Sequence, residues 1–382
     1  MGPRRRLRAA VLVTALAGAL ALGEAGTAAA APAVARGKLS TARSAPAGSR
    51  SGGTTSVKGV GAGAARLLPL LNHSAFPSVA HLANGSLLAV YRQGSNHYTA
   101  RDGFIRSTTS TDLGKTWSAP ATVIPPVRGI DYRDPSISTS NDGSTIYLTY
   151  FGSTTSTSAA GSFFRSSTNG GATWTRDVRI DPTFPSSAIT APAVQLADAS
   201  LVTVHYSRLD GERRDSVWLS RSKDNGATWT TTRLINGQSA DRDYQEPYLV
   251  RRGAGLFLTF RWGNHDSIGS TFSSDSGVTW STPIADFPGS GRPASVWLAD
   301  GTLVVYLRDS TGMFDIRVTR DRGTTWGPSR LVQAPPRGGM STYASFVEVS
   351  PGQVFTAMSA ENSTGTQSRI AFTDAVSGLI SG

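Results

Sequence analysis

The chain has 382 residues, of which 16% are charged, a formal net charge of +11 and no cysteine. Thiolate metal sites, thiol catalysis and disulfide stapling are thereby excluded, so the fold has to be held together by core burial. The charge alone would suit a nucleic-acid binder, but residues 1–66 hold ten Lys or Arg against the single acid Glu24, while the remainder holds 27 basic and 25 acidic residues, too balanced for phosphate recognition.

At the amino end, Arg4, Arg5, Arg6 and Arg8 precede an apolar run from Ala9 to Leu22 and a small-residue stretch from Thr27 to Ala33. Basic, apolar, then small and cleavable is the pattern of a secretory signal peptide, expected here over residues 1–31. The apolar run is shorter than the ~20 residues a membrane span needs, so a secreted, extracellular protein without stable membrane insertion is expected. Residues 32–65, exemplified by Ser44 to Thr54 (SAPAGSRSGGT), offer almost nothing to bury and read as a disordered linker. The folded domain is expected over residues 66–382.

That domain is repetitive. The segments STDLGKTW (Ser110 to Trp117), STNGGATW (Ser167 to Trp174), SKDNGATW (Ser222 to Trp229), SSDSGVTW (Ser273 to Trp280) and TRDRGTTW (Thr319 to Trp326) recur at intervals of about fifty residues. In each, the Asp or Asn can accept backbone N–H groups inside a tight turn, the Gly supplies positive φ, and the Trp is expected to be buried between neighbouring sheets. A second repeat interleaves, six hairpins that open on a Pro or a small residue: Phe76-Pro77 to Tyr91, Asp134-Pro135 to Tyr150, Ala191-Pro192 to Tyr206, Glu246-Pro247 to Phe260, Arg292-Pro293 to Leu307, and Ala344 to Met358. The two repeats together predict an all-β protein, a six-bladed β-propeller of four-stranded antiparallel blades, with Leu67 to Leu71 closing the ring on the last blade.

If the first strand of each blade begins at the top of the axis, three zones share the top face. Residues before the hairpin Pro give Arg133, Asp134, Gln245, Glu246, Arg292 and, at the last hairpin, Tyr343; second-strand ends give Arg92, Ser207, Arg261 and Arg308. Loops from second to third strand add Asp102, Asp210, Glu212, His265 and Asp266. Arginines and carboxylates gathered around one axis suit an anionic ligand.

The S-x-D-x-G-x-T-W turns resemble the Asp boxes (BNR repeats) of the sialidase (neuraminidase) superfamily, and the resemblance covers the chain from residue 67 onwards. It implies a glycoside hydrolase acting on a glycan or glycoconjugate, exo-α-sialidase-like and retaining, without cofactor or metal. Sialidases use a Tyr nucleophile activated by Glu, with arginines clamping the sugar carboxylate. The resemblance puts Glu246 (YQEPYLV) with Arg261 (LTFRWG) as the family's Glu–Arg pair, Tyr343 (STYASF) as nucleophile and Asp102 (TARDGF) as acid/base. Arg308 (VVYLRDS) lies near the last clamp position. The family's opening Arg-Ile-Pro is Ala75-Phe76-Pro77 here, so the first clamp arginine is missing; Arg92, at the same second-strand end as Arg261 and Arg308, is expected to rebuild the clamp with those two, and Arg133, Asp134 and Arg292 are expected to add to the substrate-binding set. Two other readings remain open: a propeller glycosidase using Glu246 with Asp102 or Asp134 as a carboxylate pair, as in exo-arabinanase-like relatives, and a non-catalytic carbohydrate-binding propeller. A monomer is expected.

Overall fold

The structure, a computed structural model, describes residues 66–67, 73–155, 158–263, 267–309, 312–333 and 339–380. The expected signal peptide, the linker, most of Leu67–Leu71, and His265 with Asp266 lie outside the described residues. The described chain is nearly all strand, with two short helices, Gly237–Ala240 and Ala375–Ile380. No helix among the described residues is long and apolar enough to cross a membrane.

Hydrogen bonding divides the strands into five sheets rather than the six separate four-stranded units expected. Three have four strands each, opening on Asp131–Thr139, Tyr244–Arg252 and Ser290–Trp297. A fourth, built on Leu201–Ser207, has its innermost strand broken into Ala188–Ile189 and Val194–Gln195, on either side of Pro192. Proline has no N–H for the ladder, so the break falls there. The fifth sheet has eight strands because the last and first units are joined by one parallel pairing, His73 with Ser368. A hydrogen bond between His73 Nε2 and Glu361 Oε2, 2.8 Å apart, links those units. Arg66–Leu67 pairs antiparallel with Ser368–Thr373, in register Arg66 to Phe372. Ring closure by the residues before the first hairpin is thus found at Arg66–Leu67.

Innermost strands of neighbouring units meet through small hydroxyl residues. Ser78 Oγ accepts from the Ile137 N–H at 3.0 Å, and Ser136 Oγ donates to the Thr190 carbonyl at 3.1 Å. Thr190 Oγ1 donates to the Pro247 carbonyl at 2.8 Å, and Ser345 Oγ accepts from the Val79 N–H at 3.2 Å, linking the last unit back to the first. Converging sheets leave no room at an axis for large side chains, so Ser and Thr fill it and satisfy backbone groups that no ladder reaches. The result is a β-propeller-like arrangement with apolar residues packed between adjacent sheets.

The five box turns form as their sequence dictates. In the first, Gly114 N–H donates to Ser110 Oγ at 2.8 Å, while Asp112 accepts from the Thr116 N–H at 2.7 Å and the Thr116 hydroxyl at 2.6 Å. Those threonine hydrogen bonds pull the Asp112 carboxyl down to about 2, as they do Asp224, Asp275 and Asp321 in theirs. Asn169 reproduces the turn with its amide, Nδ2 donating to Thr173 Oγ1 at 2.8 Å. The five box tryptophans are half-buried, less than expected. They pack on aromatic rings of the neighbouring unit in different ways: Trp117 stacks on Phe372 at 4.1 Å, and Trp229 meets Phe164 edge-on at 5.3 Å.

Two box and hairpin glycines separate backbone strain from packing. Gly226 and Gly253 both have positive φ, but a Cβ at Gly226 would stand 2.1 Å from Phe164 Cε1, whereas one at Gly253 meets nothing within 4 Å. Gly253→Ala should cost only the left-handed penalty, about 1–2 kcal/mol; Gly226→Ala should cost distinctly more in urea unfolding. Equal losses would contradict the packing of the third box against Phe164.

Candidate active site

Five innermost strands carry a bulge at the same level. Register jumps from Ala75 to Ser78, Arg133 to Ser136, Gln245 to Tyr248, Ser290 to Ala294 and Ser341 to Ala344. In three of them a non-glycine residue before Pro takes a left-handed conformation: Phe76 (φ 56°), Asp134 (φ 48°) and Glu246 (φ 49°). Such backbone costs roughly 1–3 kcal/mol per residue and gathers where a side chain must be re-aimed. Gln245 pairs with Arg261 near the sheet end, and the hairpin after Arg252 lies at the other end, where Ser273 of the box pairs with Leu256. Bulges and boxes therefore occupy opposite ends of the sheets, as expected.

The bulged end surrounds a cavity of about 690 Å³ lined by, among others, Arg133, Asp134, Glu246, Arg261, Arg308 and Tyr343. At its floor the Tyr343 hydroxyl donates to Glu246 Oε1 at 3.2 Å, and Arg261 Nη1 stands 3.3 Å from Glu246 Oε2. Burial alone would raise the Glu246 carboxyl, but Arg261, Arg308 and Arg292 outweigh it and hold the group below its ordinary value. Burial, then Glu246 and Asp134, push the Tyr343 phenol well above 10. The pair is therefore matched, a protonated phenol donating to an ionised carboxylate. Asp134 behaves oppositely: burial raises it to about 6, against the pull of Arg292 and Arg133.

Six of the nine residues expected at the site line this cavity: Tyr343, Glu246, Arg261, Arg308, Arg133 and Asp134. Arg292 lies behind the lining, 1% exposed, with Nη1 donating to the Thr190 carbonyl at 3.1 Å and its guanidinium 5.1 Å from the Tyr343 ring centre. Arg92 does not join the clamp. It is fully buried, Nε donating to Asp131 Oδ1 at 2.7 Å and Nη1 3.0 Å from His73 Nδ1. Gly94 and Gly103 make room for it, since a Cβ on either would come within 2.8 Å of its guanidinium group. Asp102 is exposed and absent from the lining; its Oδ1 accepts from the Ser95 N–H and hydroxyl, each at 3.1 Å, and so closes its own loop.

Sequence reasoning passed over His97, Tyr98, Tyr206 and Asp215, which also line the cavity. The first two stand in the loop between second and third strands, the zone of the top face from which Asp102 was singled out in this unit. Phe76 fills the position equivalent to Asp134 and Glu246, meeting the Tyr343 ring edge-on at 4.7 Å with the Arg133 guanidinium 4.9 Å from its ring centre.

His73, His97 and Glu361 form the one grouping among the described residues with metal-ligand spacing, their ligand atoms within 4.8 Å of one another. The donor set does not fit a metal: an imidazole bound through Nε2 carries its proton on Nδ1, yet Nδ1 of His73 faces the Arg92 donor at 3.0 Å.

Residues 85–355 match the BNR repeat-like domain family. The chain belongs to that family. A comparison with curated proteins finds no match. Among solved structures, a Dyadobacter fermentans protein of unknown function superposes with a TM-score of 0.66 at 19% identity, over 79% of this chain and 95% of its own. The Hadza microbial sialidase Hz136 gives 0.64 at 17% over 78% and 65%, and Trypanosoma rangeli sialidase 0.63 at 14% over 82% and 56%. The BNR-repeat chain thus spans under two thirds of either sialidase. It shares the sialidase-like propeller fold with both.

A buried ion pair and an exposed one predict different stability effects. Arg92→Ala takes from Asp131, 2% exposed, its nearest cation and leaves it only Arg133 at 3.6 Å, and should cost about 3–5 kcal/mol in thermal or urea unfolding. Arg208→Ala, whose side chain is 52% exposed beside Asp215, should cost no more than about 1 kcal/mol. A silent Arg92→Ala would show that the Arg92–Asp131 contact does not form.

Proposed function

We propose that the protein is an exported, retaining glycoside hydrolase that releases a terminal anionic sugar, an exo-α-sialidase-like enzyme working through Tyr343. The observation carrying this reading is the 3.2 Å Tyr343–Glu246 hydrogen bond on the floor of an arginine-lined cavity. A phenol held in its protonated form is no nucleophile until a base accepts its proton, and Glu246, kept ionised by its arginines, is in hydrogen-bond reach. A carboxylate nucleophile would be repelled by a sugar bearing its own carboxylate; a tyrosine is not. Arg261, Arg308 and Arg133 face the cavity where that carboxylate would sit.

The same reading counts six blades. The eight-stranded sheet divides at its single His73–Ser368 bridge into a first blade opening on His73–His81 and a sixth opening on Gly339–Ser350, closed by Arg66–Leu67.

One observation favours a second reading. Asp134 and Glu246 occupy equivalent bulges, and their environments push one carboxyl up to about 6 and the other down. That separation suits an acid paired with an anionic nucleophile, the arrangement of a two-carboxylate glycosidase.

Kinetics on sialosides and arabinosides decides between them. Tyr343→Phe and Glu246→Gln should each lower kcat by ~10²-fold or more with the unfolding midpoint retained. Arg308→Ala should act chiefly through KM. If Tyr343→Phe remains fully active while Asp134→Asn and Glu246→Gln are dead, the carboxylate pair is the machinery. Saturable glycan binding without turnover would make the protein a lectin.

A further inference from the structure

In the tyrosine reading Asp102, the acid the resemblance implies, does not reach the cavity, since it is exposed and engaged with Ser95. His97 lines the cavity in its place. Its ring is fixed on every side: stacked on Tyr98 at 4.4 Å, edge-on to Phe76 at 5.2 Å, and 6.2 Å from the Tyr343 ring. Nδ1 lies 2.8 Å from Glu361 Oε1 and 2.9 Å from Oε2. Glu361 also takes His73 Nε2 at 2.8 Å, and His73 Nδ1 in turn faces Arg92.

This chain of contacts assigns the protons. Burial works against the Glu361 charge, but hydrogen bonds from His73 and His97 hold its carboxyl down at about 2. An ionised carboxylate only accepts, so Nδ1 of His97 must donate to it. Nε2 is left as the ring nitrogen without a hydrogen-bond partner among the described residues, on a side chain that is 10% exposed and lines the cavity. A carboxylate that locks one imidazole nitrogen and leaves the other to the substrate is the arrangement of an oriented acid/base histidine.

We propose that His97, oriented by Glu361, is the acid/base catalyst of this site in place of Asp102, with Glu361 as its positioning residue. The inference rests on the glycosidase reading. In the first half-reaction the Tyr343 oxygen bonds the anomeric carbon and its proton passes to Glu246. The glycosidic C–O bond breaks, and the departing oxygen takes the Nε2 proton of the His97 imidazolium. In the second, water gives a proton to His97 Nε2 and its oxygen replaces Tyr343 on that carbon, while Tyr343 recovers its proton from Glu246.

The groups facing His97 are Glu361, His73, Arg133, Tyr98 and Tyr343. Burial lowers its pKa, Glu361 opposes the shift, and Arg133 and His73 add to it, leaving the value below 6.5. The donating form is the protonated one, so kcat/KM should fall as pH rises through a value on the acid side of 6.5. Glu361→Gln removes the stabilising anion and should move that limb to lower pH. Asp134 titrates near 6 across the cavity, so the profile is repeated in Asp134→Asn.

The experiment uses the full chain with a sialyl oligosaccharide, whose leaving oxygen needs a proton, and an activated aryl sialoside, which does not. His97→Ala should slow the oligosaccharide by ~10²-fold or more and the aryl substrate far less, with added imidazole restoring part of the loss. Asp102→Asn should keep the wild-type ratio between the two substrates. Should Asp102→Asn abolish that ratio while His97→Ala preserves it and ignores imidazole, the assignment is overturned. Equal loss on both substrates with a lowered unfolding midpoint in His97→Ala and His97→Gln would make His97 structural and overturn it too. A wild-type protein that cleaves neither substrate, nor any other glycoside, ends the glycosidase reading itself along with this assignment.

Discussion

A regular strand sends successive side chains to opposite faces, so a sheet edge meeting an axis can normally offer it only every second residue. The innermost strands escape that rule by bulging at one level, where two residues oppose one on the partner strand. The first of those residues turns left-handed in Phe76, Asp134 and Glu246, and the second is a proline with no N–H to leave unpaired. At roughly 1–3 kcal/mol each, three such positions are a large fraction of a domain's stability, and they persist because the hydroxyl contacts around the axis hold the strands on both sides. In the sheet opening on Ser290–Trp297 the left-handed residue is Gly291. There the strain is small, and Arg292 is sent behind the cavity rather than into it.

Once the bulges bring charge together, burial makes the balance strict. Glu246 keeps its charge only because Arg261, Arg308 and Arg292 surround it, whereas Asp134, with two arginines and two carboxylates for neighbours, is driven up to about 6. The arginines are thus held by the same carboxylates with which an anionic ligand must compete. Phe76, standing where a third bulge carboxylate would be, removes one charge from the floor and gives Tyr343 and His97 a ring to pack on. The missing clamp arginine at Ala75 and the inward-facing Phe76 are neighbouring features of one strand.

Much of the fold was legible because its signals are local. Each box turn closes within eight residues: Ser and Asp accept from Gly and Thr four positions away, so the motif announces its own geometry. The hairpin prolines likewise mark where the ladders break, and the top-face zones named eight of the cavity's lining residues in advance, Gln245 and Ser207 among them. The half-burial of the box tryptophans was not legible, because it depends on how far the neighbouring sheet extends over each ring.

The sequence by itself therefore determined the all-β class, the repeat period, the turns and the face on which Tyr343, Glu246, Arg261 and Arg308 gather, all of which follow from residues close together in the chain. The tertiary structure alone decided where long or central side chains point. Arg92 turns to Asp131, 39 positions away, and His97 to Glu361, 264 positions away, because a buried charge goes to whichever opposite charge the packing places within reach. The joining of the last and first units by His73 belongs with these: its hydrogen bond to Glu361, across 288 residues, leaves no mark in local periodicity.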